Sequence, residues 1–243
     1  MDIKFNEKYH TYTNVYTGDR YMSATTLIGK FEKPFDPDGK ILARCAERDG
    51  VTEEEKQAEW DNECKIACDY GTYVHNVMED YLNGEAVSPE DEEKYVFPFE
   101  QIHVFNKKLV IPEKRLWNHE HKLAGTTDVF EDHSTYFNLY DFKTNKKFSF
   151  LSEYGDYMLG KLDHLSVCKY NIYSLQLSLY AYMETILSGK KVGELGIFYY
   201  DRKEEEWVMW PCNYMKHEVE YMLAALKSDD LPVNKIYTKE VIK

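Results

Sequence analysis

The chain has 243 residues, of which 43% are hydrophobic and 30% charged, the composition of a folded globular protein rather than a disordered one. Its 30 Lys and Arg residues against 43 Asp and Glu residues give a net charge of −13. That total argues against a sequence-independent nucleic-acid binder, which neutralises phosphates with basic residues. The excess is local, however, because residues 47–63 carry −6 and residues 77–100 carry −7. The rest of the chain is balanced, so the total charge excludes little.

The lack of an export signal and the pattern of cysteines both point to a reducing compartment. No stretch approaches the roughly 20 apolar residues of a membrane span, and the first seven residues lack the apolar core of a secretory signal. We therefore expect a cytoplasmic protein (in the host cytoplasm if the source is viral) with no membrane partner. The five cysteines are odd in number and scattered, and no C-x-x-C is present. We expect no zinc or iron–sulfur cluster, and interpret Cys64 and Cys68 as buried thiols of a helix.

Strands and helices alternate along the chain. In order, the sequence predicts a β-hairpin over residues 9–22, a short helix over 23–28, a long helix over 52–82, a helix over 88–107, strands over 109–117, 122–131 and 136–143, a short helix beginning at Ser149, a helix over 172–188, a strand pair over 193–201 and 205–211, and a helix over 213–227. The capping-box pattern Thr52-Glu53-Glu54-Glu55 opens the long helix, and Asn83-Gly84 ends it. This order predicts a mixed α/β fold with a central sheet flanked by helices.

Two carboxylates and a lysine lie on neighbouring predicted strands. Asp128 precedes Asp141 by thirteen residues, and Lys143 follows two positions later. If the strands are antiparallel neighbours, Asp128 and Asp141 lie side by side, and Lys143 shares the face of Asp141. Paired carboxylates suit Mg²⁺ or Mn²⁺, and a lysine there can orient water or stabilise charge on a phosphate. The alternative is solvated turn acids and a surface lysine, although an unpaired Asp141 in so apolar a strand is costly.

Two helical pairs accompany this motif. His75 and Glu79 are four residues apart on the long helix and project from one face. An imidazole can ligate a divalent metal there, with Glu79 accepting from a metal-bound water, whereas the alternative is a surface or packed histidine. Gln176 and Tyr180 share a face of a later helix. They either contact a phosphate or base, or form a core tyrosine anchored by an amide.

Four motifs therefore follow one another along the chain: G-T-x-x-H-x-x-x-E at Gly71–Glu79, G-T-x-D at Gly125–Asp128, D-x-K-T at Asp141–Thr144 and Q-x-x-x-Y at Gln176–Tyr180. In this combination the chain resembles the PD-(D/E)XK nuclease superfamily, and within it the RecB-type exonuclease branch that includes mitochondrial and phage exonucleases. The segment from Phe5 to Thr26, with Tyr9-His10 and Ser23, also resembles the usual opening of that branch. The similarity covers most of the chain.

The resemblance implies a fold and a division of roles. It implies a restriction-endonuclease-like core within one domain over 1–243, with an N-terminal hairpin and helical part over 1–108, a catalytic core over 109–212, and a C-terminal helix and tail over 213–243. The implied catalytic residues are Asp128, Asp141, Lys143 and Glu79. The implied metal ligands are His75, Asp128, Asp141 and the backbone carbonyl of Phe142. The implied DNA-binding residues are Gln176 and Tyr180. We add Thr144 of the D-x-K-T motif, and Lys146 and Lys147 of the mildly basic tract 141–191, where the two lysines either contact phosphate or lie in a solvated loop.

The implied activity is that of a metal-dependent DNA exonuclease in replication, recombination or repair. We expect Mg²⁺ or Mn²⁺ as the cofactor, DNA that is single-stranded or has a free end as the substrate, and a protein partner in those processes. The four-cysteine spacing around which some relatives build an iron–sulfur cluster is missing here. Glu113 occupies a place where relatives often have Glu, or is an exposed strand-edge acid. The competing hypotheses are an endonuclease or nickase on the same fold, and a non-catalytic DNA-binding protein.

Overall fold

Eight strands form one mixed sheet in the computed structural model, which describes residues 2–6, 9, 11–35 and 40–233. The strands are β1 Ile3–Asn6, β2 Thr11–Asn14, β3 Arg20–Ser23, β4 Val110–Asn118, β5 Leu123–Asp132, β6 Tyr136–Lys143, β7 Lys191–Asp201 and β8 Glu206–Cys212. Their order is β1-β2-β3-β5-β6-β7-β8, and β4 pairs with β5 outside that path. The mixed α/β fold and the hairpin of β2 and β3 are thus confirmed, while His10 and the tail from residue 234 lie outside the described residues.

Helices cover both faces of the sheet. They are α1 Ala24–Gly29, α2 Lys40–Asp49, α3 Glu53–Asn83, α4 Pro89–Asp91, α5 Phe97–Ile102, α6 Lys169–Ser188 and α7 Lys216–Lys227, with a π-helical turn Glu92–Val96 joining α4 to α5. Thr52 and Glu55 form the predicted capping box, and Gly84 ends α3 in the left-handed conformation. β6 and β7 are parallel, so they need a crossover, which α6 supplies. None of the described helices combines the length and apolarity that a bilayer crossing requires.

Two apolar clusters lie on opposite faces of the sheet. On one face α1, α6 and α7 pack around residues such as Leu175 and Leu179. On the other face the C-terminal part of α3 and α5 pack Met78 and Phe99 against Phe142 and other aromatic side chains of β6 to β8. The alternation of β6 between these clusters places Leu139 and Asp141 on the face that α6 covers. Residues of both helical layers therefore reach the same end of β6.

One edge of β5 is divided between two strands. β4 pairs along its other edge, from Leu123 to Glu131. On the divided edge β3 pairs with residues 123–124 and β6 with residues 129–132. In the part of the chain that the structure describes, no strand pairs with residues 125–128 on that edge. This notch contains Gly125 and Asp128, two of the positions that the motifs single out.

The structure corrects two sequence predictions. No helix begins at Ser149; instead its hydroxyl and carbonyl accept the N–H groups of Lys169 (3.3 Å) and Tyr170 (3.0 Å) at the start of α6. That helix needs such partners because its N-cap, Cys168, makes no side-chain cap. Cys64 and Cys68 are exposed rather than buried. They lie in the part of α3 that extends past the sheet, since all its buried residues except Lys56 come from Val74 onward.

One predicted helix ends early, and two elements of the structure have no counterpart among the sequence predictions. The helix expected to reach Lys107 ends at Ile102, because His103 is extended. β1 was not predicted, since four residues are too few to show a clear alternation. α2 was not predicted either, and Ala46 is its one buried residue among those described.

Candidate metal centre

Three side chains from different elements converge at the notch in β5. His75 of α3, Glu113 of β4 and Asp128 of β5 each offer a ligand atom, and these atoms lie within 4.8 Å of one another. His75 Nδ1 is 3.3 Å from Asp128 Oδ1. One imidazole and two carboxylates form a donor set for a divalent cation. These residues could therefore hold a metal ion.

Strand register explains why Glu113 faces Asp128. Pro112 pairs with Val129 and Lys114 with Thr127, so Glu113 and Asp128 lie directly opposite each other between the two pairs. Glu113 has a φ of +48°, in the left-handed region. That conformation costs a non-glycine residue of the order of 1–3 kcal/mol and occurs preferentially at functional sites. The sequence suggested Glu113 only by its place before the Asp128 strand, because a backbone angle of this kind leaves no sequence pattern.

Asp141 and Lys143 form a second pair beside the first group. They share a face of β6, as predicted, and the Lys143 ammonium contacts Asp141 Oδ2. The same ammonium lies 4.7 Å from the ring centre of Tyr173 of α6. Asp141 is only 2% exposed. Among the described residues no hydrogen-bond donor other than this ammonium reaches its Oδ2. A cation at the notch would therefore have a buried carboxylate beside it.

The backbone of Phe142 joins the two groups. Its N–H donates to Asp128 Oδ2 at 2.5 Å, which fixes the Asp128 carboxylate between β5 and β6. The predicted role of the Phe142 carbonyl as a metal ligand stays a prediction. Asp141 does not belong to the tight group, in which the structure places Glu113 instead.

Opposing charges set the ionisation of the histidine, lysine and Asp128. Burial acts to raise the pKa of Asp128, but His75, Lys143 and the Phe142 N–H outweigh it and lower that pKa to about 2. Burial acts to lower the pKa of His75, and the Asp128 carboxylate outweighs it, so this pKa is raised. The pKa of Lys143 is likewise raised, because Asp141 and Asp128 outweigh burial. The lysine therefore acts as a cation here and not as a base.

The other two carboxylates are harder to ionise. Burial and the charge of Asp128 raise the pKa of Asp141 to about 6. Glu113 is the most exposed of the three converging residues, and partial burial of its carboxyl, together with Asp128 and Glu79, raises its pKa to about 8. Glu79 is half-buried, one turn after His75, and close enough to act on Glu113. This concentration of negative charge favours binding of a cation.

The predicted Q-x-x-x-Y pair lies beneath the notch. Gln176 Nε2 donates to the Tyr180 hydroxyl at 3.0 Å, and both side chains are buried. A Cβ on Gly125 would stand 2.2 Å from Tyr180 Cε1, so the tyrosine packs directly against the β5 backbone. In this structure the pair has the core packing that the sequence left as one alternative. Its contact with DNA stays a prediction.

The remaining predicted DNA-binding residues follow Lys143 along the chain. Thr144 is buried. Lys146 and Lys147 are exposed, with Lys146 Nζ 3.6 Å from Glu63 and Lys147 paired with Glu153. The two lysines are thus accessible beside the site, and their role toward DNA stays a prediction.

The chain has few recognisable relatives among known proteins. No protein family matches the sequence, and no curated protein matches it. Among solved structures the chain is similar to a protein from Eubacterium rectale named "Putative exonuclease", with a TM-score of 0.42 and 12% identity over 66% of this chain and 68% of that one. A likeness of this size does not establish a relationship, so the function is inferred from the geometry of the site.

Proposed function

We propose that the chain is a single-domain, metal-dependent DNA exonuclease of the RecB-type branch of the PD-(D/E)XK superfamily, hydrolysing phosphodiester bonds from a DNA end. One observation carries the proposal. The convergence of His75, Glu113 and Asp128 lies beside the buried pair of Asp141 and Lys143. Carboxylates that can hold a cation, next to a lysine ammonium group, form a combination that promotes hydrolysis of a phosphodiester.

The donor set is compatible with Mg²⁺ or Mn²⁺. Carboxylate oxygens dominate it, and the imidazole of His75 is a ligand that Mn²⁺ accepts readily. We assign His75, Glu113 and Asp128 to the metal, with Asp141 adjoining them. When bound, a divalent cation supplies the charge that lowers the pKa of a water molecule and polarises a phosphoryl oxygen.

Lys143 supplies the second positive charge. Its ammonium lies between the Asp141 carboxylate and the face of Tyr173, so its direction is fixed before a substrate arrives. From there it donates to a phosphate oxygen or to the attacking water and stabilises the charge that develops as the bond breaks. Tyr173 holds the ammonium through its ring, and this contact does not depend on a hydrogen bond.

An exposed segment beyond Lys143 fits an unpaired strand. Lys146 and Lys147 are followed by exposed Leu151, Tyr154 and Tyr157, and Tyr154 is 86% exposed. Aromatic faces stack on unpaired bases and lysines contact the backbone, so a single-stranded end is the substrate we assign. Duplex ends bound without strand separation would leave these rings unused. An exonuclease of this kind acts in DNA replication, recombination or repair, where a protein partner can deliver the end.

Nuclease activity tests the proposal directly. End-labelled single- and double-stranded DNA and a closed circle are incubated with Mg²⁺, Mn²⁺ or a chelator. We expect linear DNA to shorten, the closed circle to stay intact, and the chelator to stop the reaction. Lys143→Met should lower the rate about 10²–10³-fold, the usual effect of removing one preorganised charge. Lys203→Met, which removes an exposed lysine paired with Glu204, is the matched control.

The same experiment separates the competing functions. If the protein nicks the closed circle, its activity is that of an endonuclease and not of an exonuclease. If the protein binds DNA but does not cleave it with any of the metals, it is a non-catalytic DNA-binding protein. Calorimetry with Mn²⁺ on the wild type and on Asp128→Asn isolates the metal site, and equal affinities would contradict its assignment.

A further inference from the structure

Arg202 joins the end of strand β6 to helix α3. It follows β7, and its Nε donates to the backbone carbonyl of Thr144 at 2.6 Å. Its guanidinium carbon lies 3.7 Å from the ring centre of Tyr70. One side chain therefore holds two segments that are more than seventy residues apart in the chain.

Both of these segments continue directly into the candidate site. Thr144 is the residue after Lys143, and Tyr70 precedes Gly71, which lies one turn before His75 on α3. The two segments also touch each other, because a Cβ on Gly71 would stand 3.3 Å from Thr144 Oγ1. Arg202 therefore contacts both segments close to the residues that carry His75 and Lys143.

One donor of Arg202 takes no part in these two contacts. Its Nη2 is buried and has no hydrogen-bond partner among the described residues. A buried donor without a partner destabilises the fold, and each such group in a native structure calls for an explanation. Lysine cannot make both contacts of this arginine, because only a planar guanidinium can stack on a ring and at the same time donate a hydrogen bond in its own plane to a carbonyl.

We propose that Arg202 is a positioning residue, which fixes the end of β6, and with it Lys143, relative to His75 on α3. The role of Lys143 in this inference rests on the proposed nuclease function. The effect of Arg202 on the metal group does not rest on that function, since His75 belongs to the group whether or not the protein is a nuclease. Arg202 acts through the Thr144 carbonyl and the Tyr70 ring and does not contact the substrate.

Calorimetric titration with Mn²⁺ tests the inference without any nuclease activity. A positive charge near a carboxylate cluster weakens cation binding, so removing charge alone would tighten Mn²⁺ binding. Loss of positioning does the opposite, and supporting groups around metal ligands are typically worth about 10–100-fold in affinity. We therefore expect Arg202→Met to weaken Mn²⁺ binding about 10-fold. Unchanged or tighter binding would overturn the inference.

Two further variants separate the cause of the effect. Arg202→Lys keeps the charge but loses the planar stack, so it should also weaken Mn²⁺ binding, and wild-type affinity in this variant would refute the inference. Lys203→Met removes the neighbouring charge and should leave affinity within about 2-fold. Thermal unfolding of each variant shows whether it folds, and if Arg202→Met does not, Arg202→Lys carries the test.

Kinetics distinguish positioning from direct contact with DNA. If the protein is a nuclease, Arg202→Lys should lower kcat about 10-fold while KM stays within 3-fold and the salt dependence of KM is unchanged. A raised KM with a salt slope reduced by about one phosphate contact would make Arg202 a DNA-binding residue and overturn the inference. If the wild type cleaves nothing, the proposed function fails, and the Mn²⁺ titration still decides the role of Arg202.

Discussion

Gly125 is the position where one methyl group should disturb both the core and the site. It lies in the notch of β5, three residues before Asp128, and a Cβ built on it would stand 2.2 Å from Cε1, 2.9 Å from Cζ and 3.0 Å from the hydroxyl of Tyr180. Ordinary carbon–carbon contacts are about 3.5–4.0 Å. Gly125→Ala therefore requires Tyr180, or the β5 backbone, to move by well over 1 Å.

The surroundings of Tyr180 determine the magnitude. The ring is only 4% exposed, and its hydroxyl accepts from Gln176 at 3.0 Å, so it has no free space to enter. Overpacking of a well-filled core costs about 1–3 kcal/mol, and an overlap of this size belongs at the upper end. A loss of about 2–3 kcal/mol lowers Tm by about 5–10 °C in a chain of this length.

Urea denaturation and thermal unfolding measure the loss, and Gly29→Ala is the control. Gly29 ends α1, and a Cβ there meets nothing within 4 Å, so its replacement should be neutral or stabilise by up to about 1 kcal/mol. The double variant of Gly125→Ala with Tyr180→Leu removes the ring and should lose less stability than the two single changes added together. Additive losses, or a Gly125→Ala variant as stable as wild type, would refute the clash.

Three further outcomes are expected. Glu113→Gln removes one carboxylate of the metal group and should weaken Mn²⁺ binding by at least about 10-fold in calorimetry, whereas unchanged affinity would exclude Glu113 as a ligand. Gly84 has a φ of +74° at the end of α3, so Gly84→Ala should cost about 1–2 kcal/mol in urea denaturation even though its Cβ meets nothing, and a loss equal to that of Gly29→Ala would contradict this. Burial lowers the pKa of His103 below 6.5, so as the pH falls the histidine is protonated in the unfolded chain before it is protonated in the folded one. The stability that neutral His103 contributes is therefore present above about pH 6.5 and is lost at lower pH. His103→Gln should therefore lose less stability than wild type between pH 7.5 and 5.5, and an equal loss would contradict the shift.

Local signals in the sequence predicted much of the fold. The capping box at Thr52 and the glycine after Asn83 fixed both ends of α3, because these residues satisfy helix-terminal groups within a few positions. The spacing of Asp128 and Asp141 predicted that they lie side by side just beyond the paired part of β5 and β6, since a short turn sets the register of adjacent strands. Val129 indeed pairs with Tyr140 one position inside them.

Contacts distant in sequence escaped prediction. The parallel pairing of β3 with the start of β5 creates the notch, and it joins segments about a hundred residues apart. Arg202 and Tyr70 meet only because β7 ends beside β6 beneath α3. The left-handed backbone of Glu113 is one that glutamate rarely adopts, so the residue type gives no sign of it. Composition and periodicity carry no record of such tertiary constraints.

The acidic charge of the chain and a DNA substrate are compatible once the site is considered. Four carboxylates (Glu79, Glu113, Asp128 and Asp141) lie with His75 and Lys143 at the site, and burial, together with repulsion between the carboxylates, raises the pKa of Glu113 to about 8 and that of Asp141 to about 6. A DNA phosphate would add to this repulsion, whereas a divalent cation removes it. Binding free energies are linked reciprocally. If the metal raises the affinity for DNA by some factor, DNA raises the affinity for the metal by the same factor. Under the proposed function, a local excess of acid therefore does not exclude DNA from the site, but would make DNA binding depend on the metal.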